Sequence, residues 1–542
     1  MGFQSLFKKE TFFNSSSVAS SFSDEKESQE GAFGLGTMDP SASSSESGEP
    51  LKKDIGVFSA IFLIFNRMVG TGIFATPATI YVLCGSSVGS SLFIWVIGAI
   101  IAAAGMTVYL EWGTFLPKNG GEKNYLEYVY KKPAFLITSM FASYVFFLGW
   151  AAPNSIVFGQ YILAAAGVET TRWNQRGLGI ACVTFSFLVH SINVKWGVRL
   201  QNSLGFFKLV VMVVIVVTGF VGLGGGLKHN NYTKTDNFTD AFSSVNTVSA
   251  YGIVMALYNV IWSFIGYSNA NYALSEAKDP MRVLKISAPF ALGLVSLLYI
   301  LVIIGYYAVV PGEIMKNSGT ILASNFFLIA FGETGKKALN AFVALSALGN
   351  VLSVIFSQGR IIQSLAHEDV LPASKIWASS KPFKTPFAGL FQHWVVCVIT
   401  IIAPPPGDAY NFISNLITYP SSIVNVFVSV GLIYVHFTKD KYYPDFSPKI
   451  KSPLIVTAFF ALSSIYLVVA PYVPPSDGQS VYKSIPYYLH CVVGIAMFAV
   501  GGMYWFIWRI VWPKVGNFEW ERVTIKKEGW DYAEFKRVKK NI

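Results

Sequence analysis

The sequence predicts an all-α membrane protein of twelve transmembrane helices, with the first ten arranged as a five-plus-five inverted repeat. Three observations carry that expectation: the composition, the placement of basic residues along the chain, and a pair of interrupted helices. Of 542 residues, 53% are hydrophobic, 15% aromatic and 13% charged. That is about half the charge of a soluble protein. A spanning helix needs about 20 apolar residues, so roughly half of this length suffices for twelve. A soluble enzyme of this size needs far more surface charge, and that class is set aside.

Residues 1–54 form the first element, read as a disordered cytoplasmic N-tail. Its first 50 residues hold 13 Ser and cannot bury a core. No apolar run of a signal peptide precedes the first span, which is expected to act as the targeting signal itself. Leu6 breaks the myristoylation pattern that Gly2 begins. Apolar runs then place helices near 55–83, 89–112, 135–166, 177–194, 203–224, 250–275, 285–310, 336–362, 386–403, 409–437, 452–472 and 486–512. Together they define one membrane domain over 55–512. The run at 320–332 is too short to span and is expected to lie across the outer surface. Residues 513–542 are read as a cytoplasmic C-tail resting on anionic lipid, because nine Lys or Arg follow from Arg509 on.

The connecting loops set the orientation. With both termini inside, 31 of the 41 Lys and Arg fall on the inner side and eight on the outer side. Cytoplasmic loops carry such an excess, and it accounts for the net charge of +11 without nucleic acid. Asn231 and Asn237 open two glycosylation sequons in the longest outer loop. Cys84, Cys182, Cys397 and Cys491 lie far apart and suggest no disulfide framework. The six His show no metal spacing, so neither a metal nor a cofactor is expected.

Spans one to five and six to ten have similar lengths, and an odd number of spans per half inverts the topology. The first span of each half is interrupted. The first contains Asn66-Arg67-Met68-Val69-Gly70-Thr71-Gly72, and the sixth contains Ser263-Phe264-Ile265-Gly266-Tyr267-Ser268-Asn269. Matching interruptions point to a substrate site at the bilayer midplane. Unwinding at Gly70-Thr71-Gly72 frees amide groups at a half-helix N-terminus, which suit a carboxylate. Freed carbonyls near Met68, Ser263, Phe264 and Gly266 suit an ammonium. The alternative is a small-residue packing face.

Two charges lie within spans. Lys208 in the fifth span is expensive at that depth and a functional candidate. It can point its ammonium at the carbonyls of the first span, or snorkel to the inner surface. Arg67 precedes the first break, and Glu111, Glu122 and Glu276 are the acids near inner helix ends. The stretch Gly85-Ser86-Ser87-Val88-Gly89 fits a nucleophile-elbow pattern, but no strand precedes it. No cluster of His, Asp and Ser supports a membrane enzyme.

Four stretches together resemble the amino acid–polyamine–organocation (APC) superfamily, in its L-type amino acid transporter branch. They are Met68–Pro77, Asn193–Lys208, Gly266–Pro280 and Ala344–Pro372. The runs Trp150–Ile156, Ser379–Phe383 and Ala403–Tyr410 add a likeness to the fungal high-affinity methionine permeases within that superfamily. The resemblance implies a LeuT-like fold with discontinuous helices 1 and 6, alternating access, and import of L-methionine at the plasma membrane with a proton. It implies that Gly70, Thr71 and Gly72 hold the substrate carboxylate, that carbonyls of Met68, Ser263 and Gly266 receive the amine, and that Phe264, Ile265 and Asn269 line or gate the pocket. Lys208 then stands where sodium-driven relatives hold a cation. Lys8, Lys9 and Lys26 resemble ubiquitination sites read by a ubiquitin-ligase adaptor. The loop 167–176 has no Cys, so a disulfide-linked heavy chain is not expected. Arg67 replaces a small or apolar residue of the family. A broader neutral amino acid permease or exchanger that also takes cysteine, and a non-transporting sensor of the same fold, remain alternatives.

Overall fold

A computed structural model describes residues 56–542 except 119, 228–233, 246, 273, 275–276, 406, 476–479, 528–529 and 540–542. The N-tail, with Lys8, Lys9 and Lys26, lies outside the described residues, as does Asn231.

The first half of the helical chain is α1 (Val57–Met68), α2 (Gly72–Ala75), α3 (Pro77–Leu83), α4 (Val88–Phe115), α5 (Glu122–Val129), α6 (Leu136–Phe147), α7 (Ala152–Ala166), α8 (Arg172–Ile192) and α9 (Val194–Leu223). The rest is α10 (Ala250–Phe264), α11 (Pro280–Val309), α12 (Gly312–Asn317), α13 (Leu322–His367), α14 (Ser374–Ala378), α15 (Phe387–Ile402), α16 (Ala409–Tyr442), α17 (Leu454–Val469), α18 (Leu489–Phe506) and α19 (Trp512–Gly516). Among the described residues, nine helical stretches are long and apolar enough to cross a membrane, some joining neighbouring elements as α1 with α2 and α6 with α7, and α10 and α15 are shorter apolar helices.

Local chemistry sets several boundaries. Asn193 alone separates α8 from α9; its side chain accepts from the Trp196 amide and caps α9. The expected inner loop over 195–202 is therefore helical. Asp279 caps α11 by accepting from the Arg282 amide, with Pro280 in the first turn. The run at 320–332 is helical and is set off from the rest of α13 by non-helical backbone at Gly332. Its Leu322, Ala323 and Phe326 are fully buried.

The core is aromatic. Trp95, Trp112, Tyr258, Tyr299, Tyr306 and Tyr307 are fully buried. The outward faces stay apolar too: Phe58, Phe437, Leu462 and Ile455 are more than 65% exposed. In water such a rim would drive association. In lipid it is the solvated surface, while the helices satisfy their own backbone groups.

One expectation is corrected. The chain is not all-α, because residues after the last helix fold as an antiparallel hairpin of β1 (Phe518–Lys527) and β2 (Trp530–Lys539). Arg522 pairs with Phe535 in its register. Trp520 and Phe535 pack on Trp508, and Phe535 also packs on Phe135. The Phe535 amide donates to the Asp369 carboxylate at 2.8 Å. These contacts anchor the hairpin beside the C-terminal end of α13.

Candidate functional site

Both expected breaks are present. α1 stops at Met68, and the chain resumes as α2 only at Gly72. α10 stops at Phe264, and a short 3-10 turn follows at Asn269–Tyr272. Gly266 has φ +132°, a conformation that L side chains rarely adopt. The two breaks touch. A Cβ at Gly72 would lie 2.8 Å from the Cβ of Ser263, and one at Gly266 would lie 2.6 Å from the Cγ of Arg67. Only glycine lets the two segments approach this closely.

The released carbonyls of the first break have identifiable donors. Lys208 donates its ammonium to the Val69 carbonyl at 2.7 Å and to Asn66 at 3.3 Å. Asn350 on α13 donates to the carbonyls of Arg67 at 2.7 Å and Asn66 at 3.1 Å. Ser346 donates to the Gly70 carbonyl at 3.4 Å. The Tyr299 hydroxyl on α11 faces two carbonyls at once, Met68 at 2.8 Å and Ser263 at 3.1 Å. One phenol thus joins the first break to the second. Buried backbone groups left without partners are costly, so these side chains are what makes the unwound segment tolerable inside apolar surroundings.

The amide side of the break is arranged differently. Asn154 on α7 accepts from the Thr71 amide at 3.1 Å and from the Thr71 hydroxyl at 2.6 Å. Its own amide donates to Asn350 at 2.9 Å. The amides that open α2 have no preceding helical turn to bond to. They lie beside Ser263, whose hydroxyl donates to the Asn259 carbonyl. Trp262 donates its indole N–H to the Tyr410 hydroxyl at 3.0 Å, and that hydroxyl lies 3.5 Å from the Thr71 hydroxyl. The region therefore offers helix-start amides, paired carbonyls and neutral side chains. Such a set can hold a zwitterion without a charged ligand group.

Every expected binding residue falls in this region: Met68, Gly70, Thr71, Gly72, Ser263, Phe264, Ile265, Gly266 and Asn269. Asn269 sits farthest along the second break, where its side-chain oxygen accepts from Ser357 at 3.3 Å. Lys208 is 1% exposed and turned onto the first break, so it does not snorkel. Sequence reasoning missed Asn154, Asn350, Tyr299 and Tyr410. Asn154 and Asn350 were visible as amides inside apolar helices, a recognised sign of function in membranes. Tyr299 carried no such signal among 27 tyrosines.

Arg67 is buried and borders a cavity of about 80 Å³ between the two breaks and α4, α5, α6, α13 and α16. Its guanidinium lies 5.9 Å from the ring of Trp150. Of its candidate partners, Glu111 instead bonds His436 at 2.9 Å and the Ser452 amide at 2.8 Å. Glu122 borders the same cavity, and Glu276 lies outside the described residues. Asn237 donates its amide to the carbonyls of Tyr307 and Val310. Among the described residues, no group of three or more His, Cys, Asp or Glu could hold a metal ion.

The profile of a family described as amino acid permease matches residues 55–498. The chain is 52% identical over 516 residues to the high-affinity methionine permease of Saccharomyces cerevisiae, covering 95% of this chain and 89% of that protein. It is 30% identical over 473 residues to the low-affinity methionine permease of the same yeast, covering 87% and 85%. The b(0,+)-type amino acid transporter 1 of Mus musculus is 28% identical over 453 residues, covering 82% and 86%.

Proposed function

The chain belongs to the amino acid permease family, and from that premise we propose that it imports L-methionine across the plasma membrane together with a proton, by alternating access. It is a multi-pass membrane protein of a transporter family, not an enzyme. The observation that carries the reading is the convergence of two broken helices on the Tyr299 hydroxyl, in a chain 52% identical to a methionine permease.

In this reading the nine long apolar stretches, the shorter α10 and α15 and the 21-residue α8 make up twelve spans. The first ten form the five-plus-five inverted repeat, and both termini are cytoplasmic. The substrate carboxylate meets the backbone at Gly70, Thr71 and Gly72. The substrate ammonium donates to the carbonyls of Met68, Ser263 and Gly266, taking the place of the Tyr299 hydroxyl on one of the two carbonyls it faces. Phe264 and Ile265 close the pocket from the second break. Lys208 places its amine on the Val69 carbonyl of the first break, which supports independence from sodium. A ubiquitin-ligase adaptor acting on Lys8, Lys9 or Lys26 would control surface residence.

Uptake of labelled methionine by cells expressing the chain tests the proposal. Saturable uptake that rises with external acidity and ignores sodium is the expected result. Uptake that competing leucine and cysteine suppress as strongly as methionine would favour the broader permease. Binding without uptake would favour a sensor.

A further inference from the structure

The cavity that borders the second break at Ile265, Gly266 and Asn269 also holds two buried charged residues. Arg67 and Glu122 border this cavity and carry opposite charge, yet no ion pair joins them. Both are at least 93% buried. Among the described residues, Arg67 has no carboxylate within ion-pair distance. The Glu122 carboxylate accepts from the Tyr272 hydroxyl at 2.6 Å on one oxygen, while its other oxygen is buried and unpartnered. A buried carboxylate oxygen without a donor, on a residue that lines a cavity, is a place for a proton.

We propose that Glu122 binds and releases the co-transported proton, and that Arg67 links its occupancy to the substrate. The inference rests on the proton-coupled reading above. Arg67 sits where the two breaks touch, against Gly266. It also borders the Glu122 cavity, so one side chain is within reach of both events. With substrate bound from the outer side, Glu122 takes a proton from hydronium on that side and becomes a neutral acid. Once the substrate has left to the inner side, the acid gives the proton to water there and is ionised again. Charge is conserved at each step.

The groups facing Glu122 fit this role. Tyr109 approaches from α4, Tyr272 from the second break and Tyr267 from the same turn, while Tyr125 stands on its own helix. Tyr144 on α6 is an electrostatic neighbour of both Glu122 and Arg67. Lys123 turns away to Glu368 and Glu127. Burial raises the proton affinity of the Glu122 carboxyl, and the Tyr272 hydrogen bond partly offsets this.

The test uses the full chain in proteoliposomes loaded with a pH dye. Wild type should acidify the lumen as methionine enters. Glu122→Gln should still exchange internal for external methionine but should show neither acidification nor pH-dependent uptake. Wild-type uptake without acidification would overturn the proton-coupled reading itself. Acidification that persists in Glu122→Gln would overturn only the assignment to Glu122. If Glu122→Gln fails to fold, Tyr272→Phe decides. Removing a donor to the ionised carboxylate raises its proton affinity, so the pH profile should move to higher pH, and an unmoved profile would refute the proposal.

Discussion

The ammonium of Lys208 donates to the carbonyl of Val69 at 2.7 Å, joining the middle of α9 to the point where α1 comes apart. The same ammonium reaches Asn66 at 3.3 Å. These two donors satisfy carbonyls that the interruption of α1 leaves without helical partners. Lys208→Met keeps the length but removes both donors. Leaving a buried acceptor without a partner costs about 1–3 kcal/mol. Methionine uptake should be lost, with a fall in thermal stability of that order in purified protein. Near-normal uptake by this variant would show that the contact is incidental.

The close approach of Gly72 to Ser263 makes a second prediction. A Cβ at Gly72 would meet Ser263 at 2.8 Å and its hydroxyl closer still. Gly72→Val should abolish methionine binding while the protein still reaches the cell surface. Surface labelling beside an uptake assay checks this. Preserved uptake would reduce the break to a packing face.

Asn154 gives a third. It holds both the amide and the hydroxyl of Thr71. Asn154→Ala releases Thr71 and strips Asn350 of a donor. The account predicts at least a tenfold rise in the methionine concentration for half-maximal uptake, about 1.4 kcal/mol. Asn154→Asp cannot donate to Asn350 and should fare no better. Kinetics of the two variants at equal surface abundance are the measurement.

The C-terminal hairpin yields a prediction about pH. Glu368 lies just past α13 and accepts from Lys123 at 2.8 Å and from Arg522 of β1. Burial acts to raise its carboxyl, but Lys123 and Arg522 outweigh that and hold it below the usual carboxylate range. A depressed carboxylate stabilises the fold above its unfolded titration range, and that contribution is lost as pH falls through its folded value. Limited proteolysis should therefore release the hairpin more readily at about pH 3 than at neutral pH. Arg522→Ala should make the neutral-pH pattern resemble the acid one. A hairpin equally protected in both would separate this cluster from docking.

Much of this arrangement was legible in the sequence, and for physical reasons. A Gly-Thr-Gly run inside an apolar span cannot propagate helix well, and Gly266 repeats the signal 200 residues later. Lys208 announced itself by the cost of a buried charge. Residues that hold the breaks were harder to see. Asn154, Asn350 and Tyr299 are neutral and sit on three other helices, so their convergence is a property of packing. The hairpin was hidden in another way. Phe518 and Trp520 alternate with Glu519 and Glu521, as Val523 and Ile525 do with Arg522 and Thr524, at the period of a strand, but the high charge of the segment made it read as a lipid-bound tail. Where Asn193 caps α9 so tightly, a loop was expected because Lys195 and Arg199 break the apolar run.

The central claim is that the two breaks hold both ends of a zwitterion. Equilibrium binding of labelled L-methionine to purified protein, competed by methionine methyl ester and by 4-methylthiobutanoate, tests it most directly. Each competitor lacks one charged end and keeps the thioether. The account predicts that unlabelled methionine displaces the label and that neither analogue does at a hundredfold excess, about 2.7 kcal/mol. Displacement by either analogue as effective as that by methionine would contradict it.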